Sequence, residues 1–190
     1  VLDSSETMAG KLNKTANTLS ELGSAAEDFA KPLAKGLNNS KNAAINFESG
    51  MAEVRKTTGL STAQTAALGD EIKKLSRTIP LTTQQLTEIG VAAGQSGVAM
   101  SEIPQYIKDI SKASVALAVD TDEAGLAFGR LTNIYGMSNA EIPKLAAAIN
   151  VLGDTSVASE KEILNVIMRT AALSKQANIT AKDSAALGAS

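Results

Sequence analysis

The chain has no cysteine and no histidine. Those two absences remove disulfides, the commonest zinc sites, and His- or Cys-based catalysis from its 190 residues. Tryptophan is missing too, and the aromatic side chains are three Phe and two Tyr. The apolar 44% is therefore mostly Ala, Leu, Ile and Val, a mixture that suits closely packed helices better than a β-sandwich. An excess of one charge is also absent. Eighteen basic and twenty acidic residues are interspersed and leave a net charge of −2. Nothing resembles the basic stripe that neutralising a phosphate backbone requires, so no specific nucleic-acid partner is expected. No apolar run reaches the ~18 residues of a membrane span, and no signal peptide is visible. The chain starts at Val1 and stops at Ser190 inside a helix-like run. It is expected to be a piece of a longer protein, one domain plus a helical extension.

What is present begins with periodicity. Met8, Leu12, Thr15, Leu19, Leu22, Ala26, Phe29 and Leu33 alternate at spacings of four and three, an a/d seam of almost four heptads. Ser4 or Ser5 can cap its start, with Glu6 near the positive end of the dipole. A long helix lying on its own domain is one reading. Self-association through Met8, Leu12, Leu19, Leu22, Phe29 and Leu33 is the other, favoured because strict 3.5-residue spacing is narrower than a globular helix needs. Pro32 costs about 3 kcal/mol in a helix interior, and Gly36, Asn38 and Asn39 crowd the same place. A break near 32–39 is expected, dividing a coiled-coil-like stem over 1–46 from a helical core over 47–190.

The core opens with FESGMAEVRKTTG. Phe47, Met51 and Val54 share one helical face, and Arg55, Lys56 and Gly59 close it with last-turn cations and a C′ glycine. Ser61 or Thr62 starts the next helix, striped by Leu68, Ile72, Leu75 and Ile79 and ended by Pro80. Thr82 or Thr83 caps another, with Leu86, Ile89 and Ala93 as its core face. Gly90, Gly94 and Gly97 lack the Lys-Ser/Thr of a phosphate loop and read as close packing followed by a C′ turn.

An internal repeat covers the second half. Residues 97–104 (GVAMSEIP) align without gaps with 136–143 (GMSNAEIP), and 178–183 (NITAKD) is a weaker third copy. Gly or Asn can take the left-handed conformation that ends a helix, and an apolar residue follows. In the last two copies a hydroxyl cap stands three residues before an acid. Spacings of about 40 residues suit stacked helix pairs. Pro104 and Pro143 fit only a first turn. Between the copies run stripes of Ile103, Tyr106, Ile107, Ile110 and Leu117; of Leu126, Leu131, Ile134 and Tyr135; and of Ile142, Leu145, Ile149 and Leu152, closed by Gly153. Ser159, with Glu162 in the capping-box position, then opens a helix with Ile163, Val166, Ile167 and Ala171. The fold expected is all-α: a long heptad-patterned N-terminal helix followed by a bundle of stacked short helices.

Candidates for chemistry are weak. Asp120, Asp122 and Glu123 resemble half a calcium loop, but Ala124 and Leu131 occupy ligand positions, so the acids read as a helix N-terminus. Lys73, Lys74 and Arg77 form a small basic face beside Asp70 and Glu71, a solvated pairing pattern. Gln95 is expected to make a capping or inter-helix hydrogen bond. No catalytic residue, metal site or cofactor is expected.

The run Phe47 to Ser61 resembles the core region of phage tail tape measure proteins, including prophage and tail-like bacteriocin versions. Leu75-Ser76, Ile79-Pro80, Ile89 through Val98, Tyr135 through Ser138, and Glu162-Ile163-Leu164 with Arg169 and Ala171 follow in the expected order. The resemblance marks Phe47, Met51, Val54 and Gly59 as the core of the family motif. It implies a structural, non-enzymatic tail component that acts as a length ruler and assembly scaffold inside the tail tube and is released at genome ejection. It also implies self-association as a trimer, tube, baseplate or tail-tip proteins and tail assembly chaperones as partners, contact with the host membrane at ejection, and a place in the virion tail lumen after assembly in the host cytoplasm. Two other classes stay open, a generic self-associating helical module and a membrane-active helical domain acting in envelope penetration.

Overall fold

The computed structural model describes residues 41–189. The heptad seam and the expected break near 32–39 lie outside them. The chain divides into two compact units, Val1–Ile45 and Asn46–Ser190, and the second is the one described below.

The described residues contain no strand. Helix α1 covers described residues 41–58, and α2 (Thr62–Leu75), α3 (Thr83–Gln95), α4 (Ile103–Ala116), α5 (Thr121–Tyr135), α6 (Ile142–Thr155), α7 (Glu160–Gln176) and α8 (Ala181–Gly188) follow. Four starts are fixed by side chains in the first turn. Ser61 and Gln64, Thr82 and Gln85, and Ser159 and Glu162 form capping boxes, and Thr180 accepts from the Asp183 N–H. Before α6, Glu141 takes the Ser138 N–H at 2.8 Å across a single 3₁₀ turn. Pro104 and Pro143 stand in the first turns of α4 and α6, where a missing N–H costs nothing.

The repeat is real in three dimensions. Gly97, Gly136 and Asn178 all have positive φ, at 73°, 67° and 57°. Directly after each, Val98, Met137 and Ile179 donate their N–H groups five residues back, to Ala93, Thr132 and Ser174. Each copy is thus a Schellman turn with an apolar follower, and each folds one helix back on the next. The hairpins are α3–α4, α5–α6 and α7–α8. Across hairpins, α3 packs on α5 and α5 on α7, while α4 packs on α6 and α6 on α8. The result is two parallel layers of helices, with Ile89, Tyr106, Ile110, Phe128, Leu131, Ile149 and Ile163 buried between and within them.

Several boundaries and faces differ from expectation. Helix α2 stops at Leu75 and the chain turns through Ile79 before Pro80, so Leu75 and Ile79 are only half-buried. Gly153 does not close α6; it lies in the last turn, where Glu160 presses against it. In α5 the buried stripe is Ala124, Ala127, Phe128, Leu131 and Tyr135, and Leu126 and Ile134 are half-buried beside it. In α7 Leu164 is buried where Val166 was expected, and Val166 lies at the edge, 36% exposed, beside Gly188 of α8.

Candidate functional site

The glycines set how closely the helices meet. A Cβ on Gly90 would lie 3.1 Å from Val54, and one on Gly94 2.6 Å from Thr57, so α1 crosses α3 at backbone distance. Gly125 faces Ala92 at 2.7 Å in the same sense, and Gly129 faces Ser96, which lays α5 equally close on the other side of α3. Gly90–Gly94 and Gly125–Gly129 are both small-residue pairs one turn apart. The second pair was missed in sequence, although its spacing is the same signal.

Polar ties run between the hairpins at these crossings. Tyr106 donates to the Gly125 carbonyl at 2.5 Å, Asn133 to the Ser96 carbonyl at 2.8 Å, Thr121 to Glu88 at 3.1 Å, and Asn139 to Glu102 at 2.6 Å. Burial pushes the Tyr106 hydroxyl well above its ordinary pKa, so it stays a donor at any physiological pH. Next along, Lys175 Nζ donates to the Tyr135 carbonyl at 2.9 Å, and the Tyr135 and Ser184 hydroxyls share a buried hydrogen bond of 3.0 Å. Lys161 meets Glu123 at 2.7 Å, and that hydrogen bond holds the ammonium pKa up. Asp120, Asp122 and Glu123 therefore sit at the α5 N-terminus, as the helix-dipole reading has it.

A cleft of about 400 Å³ opens where the second and third hairpins meet. Its floor is Tyr135, Leu145 and Ile179, and Lys144, Lys175 and Lys182 stand around it with Glu141. One of these cations, Lys175, is already tied to the α5 carbonyl end. Among the described residues no group of three or more His, Cys, Asp or Glu converges as a metal site, and no helix is long and apolar enough to cross a membrane.

The motif residues named from sequence lie along α1 and at its end. Val54 is fully buried and Met51 nearly so; Phe47 is half-buried beside Gly69, with Lys73 Nζ 5.1 Å from its ring centre. Gly59 ends α1 with φ 73°. Met8, Leu12, Leu19, Leu22, Phe29 and Leu33 lie outside the described residues. Gln95 is exposed and makes no capping or inter-helix bond; its neighbour Ser96 takes the inter-helix role through its carbonyl.

Close crossings, cross-hairpin ties and stacked layers define a helical-hairpin repeat protein. Residues 69–190 match the family described as phage-related minor tail protein, and the chain belongs to that family. Its structural role is that of a phage tail component. No curated protein and no solved structure matches it.

Proposed function

We propose that the chain is part of a tail tape measure protein, a ruler and assembly scaffold within the tail tube that leaves the tube when the genome is ejected. The observation that carries this reading is the a/d seam from Met8 to Leu33 in the same chain as the phage tail family match over 69–190. A multi-chain helical rod grows about 1.5 Å per residue, so its length in residues maps linearly onto length in space. In this reading three copies associate through the seam in the tube lumen, tube subunits polymerise around them, and baseplate or tail-tip proteins and tail assembly chaperones are the other partners. Contact with the host membrane belongs to ejection. The residues of the core pack helices together and perform no reaction.

Tail length tests the reading. Deleting whole heptads from the rod of the full-length gene should shorten tails by about 1.5 Å per residue in negative-stain electron microscopy. Tails of unchanged length would rule the ruler out and leave a structural role without measurement.

A further inference from the structure

Because each hairpin turns at one left-handed residue, positions can be compared by counting back from Gly97, Gly136 and Asn178. Five residues before them stand Ala92, Leu131 and Leu173. Ala92 is 3% exposed and Leu131 0%, yet Leu173 is 69% exposed. Twelve before them stand Gln85, half-buried, Ala124, fully buried, and Val166, 36% exposed although Gly188 of α8 lies against it. One residue before stand Ser96, Tyr135 and Ala177; the first two are tied to the following hairpin through Asn133 and Ser184, and Ala177 is exposed.

The reason for the burial is visible at the first pair. Ala92 and Ser96 lie where Gly125 and Gly129 of the next hairpin cross. The side of each leading helix that meets its successor is therefore a stripe with four- and three-residue spacing, Gln85, Ile89, Ala92 and Ser96 on α3 and Ala124, Phe128, Leu131 and Tyr135 on α5. On α7 that stripe is Val166, Thr170, Leu173 and Ala177. The opposite end of the stack is covered, since Val54 and Thr57 of α1 close over Gly90 and Gly94 of α3.

We propose that the outer face of α7 is a docking surface for a fourth helical hairpin in the same register, seated on α7 as α5 is seated on α3. The interface is a continuation of one the molecule already contains twice. That continuity also defines the occupant's chemistry. Its leading helix is apolar or glycine at the eleventh and seventh positions before its own left-handed turn. Gly125 and Gly129 fill those positions in α5, and Ile167 and Ala171, both buried, fill them in α7. Thr170 in mid-stripe and Arg169 beside it keep the face soluble when it is open.

The chain's lack of cysteine gives a direct test. The 190-residue chain carrying Leu173→Cys is compared with the same chain extended after Ala189 by a second copy of residues 156–189, which holds the α6–α7 connection and one hairpin. Maleimide labelling of Leu173→Cys is expected to slow at least tenfold in the extended chain, with an exposed control, Lys108→Cys, unchanged. The extension should also raise Tm by several degrees, as adding a unit to a nearest-neighbour stack does. Leu173→Glu should cancel that rise and leave the Tm of the unextended chain where it was. Equal labelling rates with no rise in Tm would overturn the proposal. Protection that appears in the unextended chain and grows with concentration would overturn it too, in favour of a second copy on this face. None of these readings depends on tail length, so the ruler and the docking face stand or fall separately.

Discussion

A Cβ added at Gly129 would run into both Oγ and Cβ of Ser96 and come within 3.0 Å of the Tyr106 hydroxyl. Two effects of Gly129→Ala oppose each other. Alanine in mid-helix gains about 1 kcal/mol over glycine, while overpacking a close crossing costs about 1–3 kcal/mol. The obstructing atoms belong to a short side chain fixed to backbone, so the clash wins. Gly129→Ala should lower stability by up to about 2 kcal/mol in denaturant melts. Ser96→Gly in the same chain should recover most of that loss, because it deletes both obstructing atoms. It also removes Ser96 Oγ, which is buried without a hydrogen-bond partner. A cycle in which the two losses simply add would show that the crossing is not where α5 and α3 meet.

At the level of the element, the capping boxes differ in what closes them. Gln64 and Gln85 do so for α2 and α3, and Glu162 for α7. Hydrogen bonds from the Ser159 side chain and backbone hold the Glu162 carboxyl below its ordinary 4.5, and the Ser138 backbone and side chain do the same for Glu141. A folded-state pKa that is depressed contributes stability above the ordinary value, and that contribution is lost as pH falls through the folded pKa. As pH falls below the ordinary carboxylate range the first turn of α7 should therefore lose hydrogen-exchange protection relative to the first turn of α3, whose glutamine does not titrate. Glu162→Gln should abolish the difference. An equal loss in both helices would mean that the carboxylate does not hold the cap.

The same elements show what sequence makes legible. The hairpin turns were readable because their signal is local: Gly97, Gly136 and Asn178 with an apolar follower, and a hydroxyl cap after the last two. The turn between α4 and α5 was not, since Ala118 takes the left-handed conformation at φ 49° with no glycine to announce it. Pro80 and Gly153 misled in the opposite way. Helix α2 ends on backbone bonds before its proline, and Gly153 stays helical to make room for Glu160. The stripe of α5 was right at Leu131 and Tyr135 but off at Leu126 and Ile134, because period alone does not say which side a neighbouring helix will cover. Gly125 acquires its role only once α3 lies against it.

For the molecule as a whole, position in the stack should decide the effect of a substitution more than residue type does. Leu131 and Leu173 occupy the same place in successive hairpins, and only the first is covered. Leu131→Ala should cost about 2–5 kcal/mol as a core truncation, and Leu173→Ala should stay within about 0.5 kcal/mol of zero as an exposed change. Similar losses at both sites in the chain alone would contradict the end-of-stack geometry.

The cross-hairpin ties described above all join neighbours, and none spans more than one hairpin boundary. Under traction such a stack has no single clasp. Pulled from its C-terminal end, the chain would surrender α7–α8 first, then α5–α6, each step breaking one set of ties while the remainder holds.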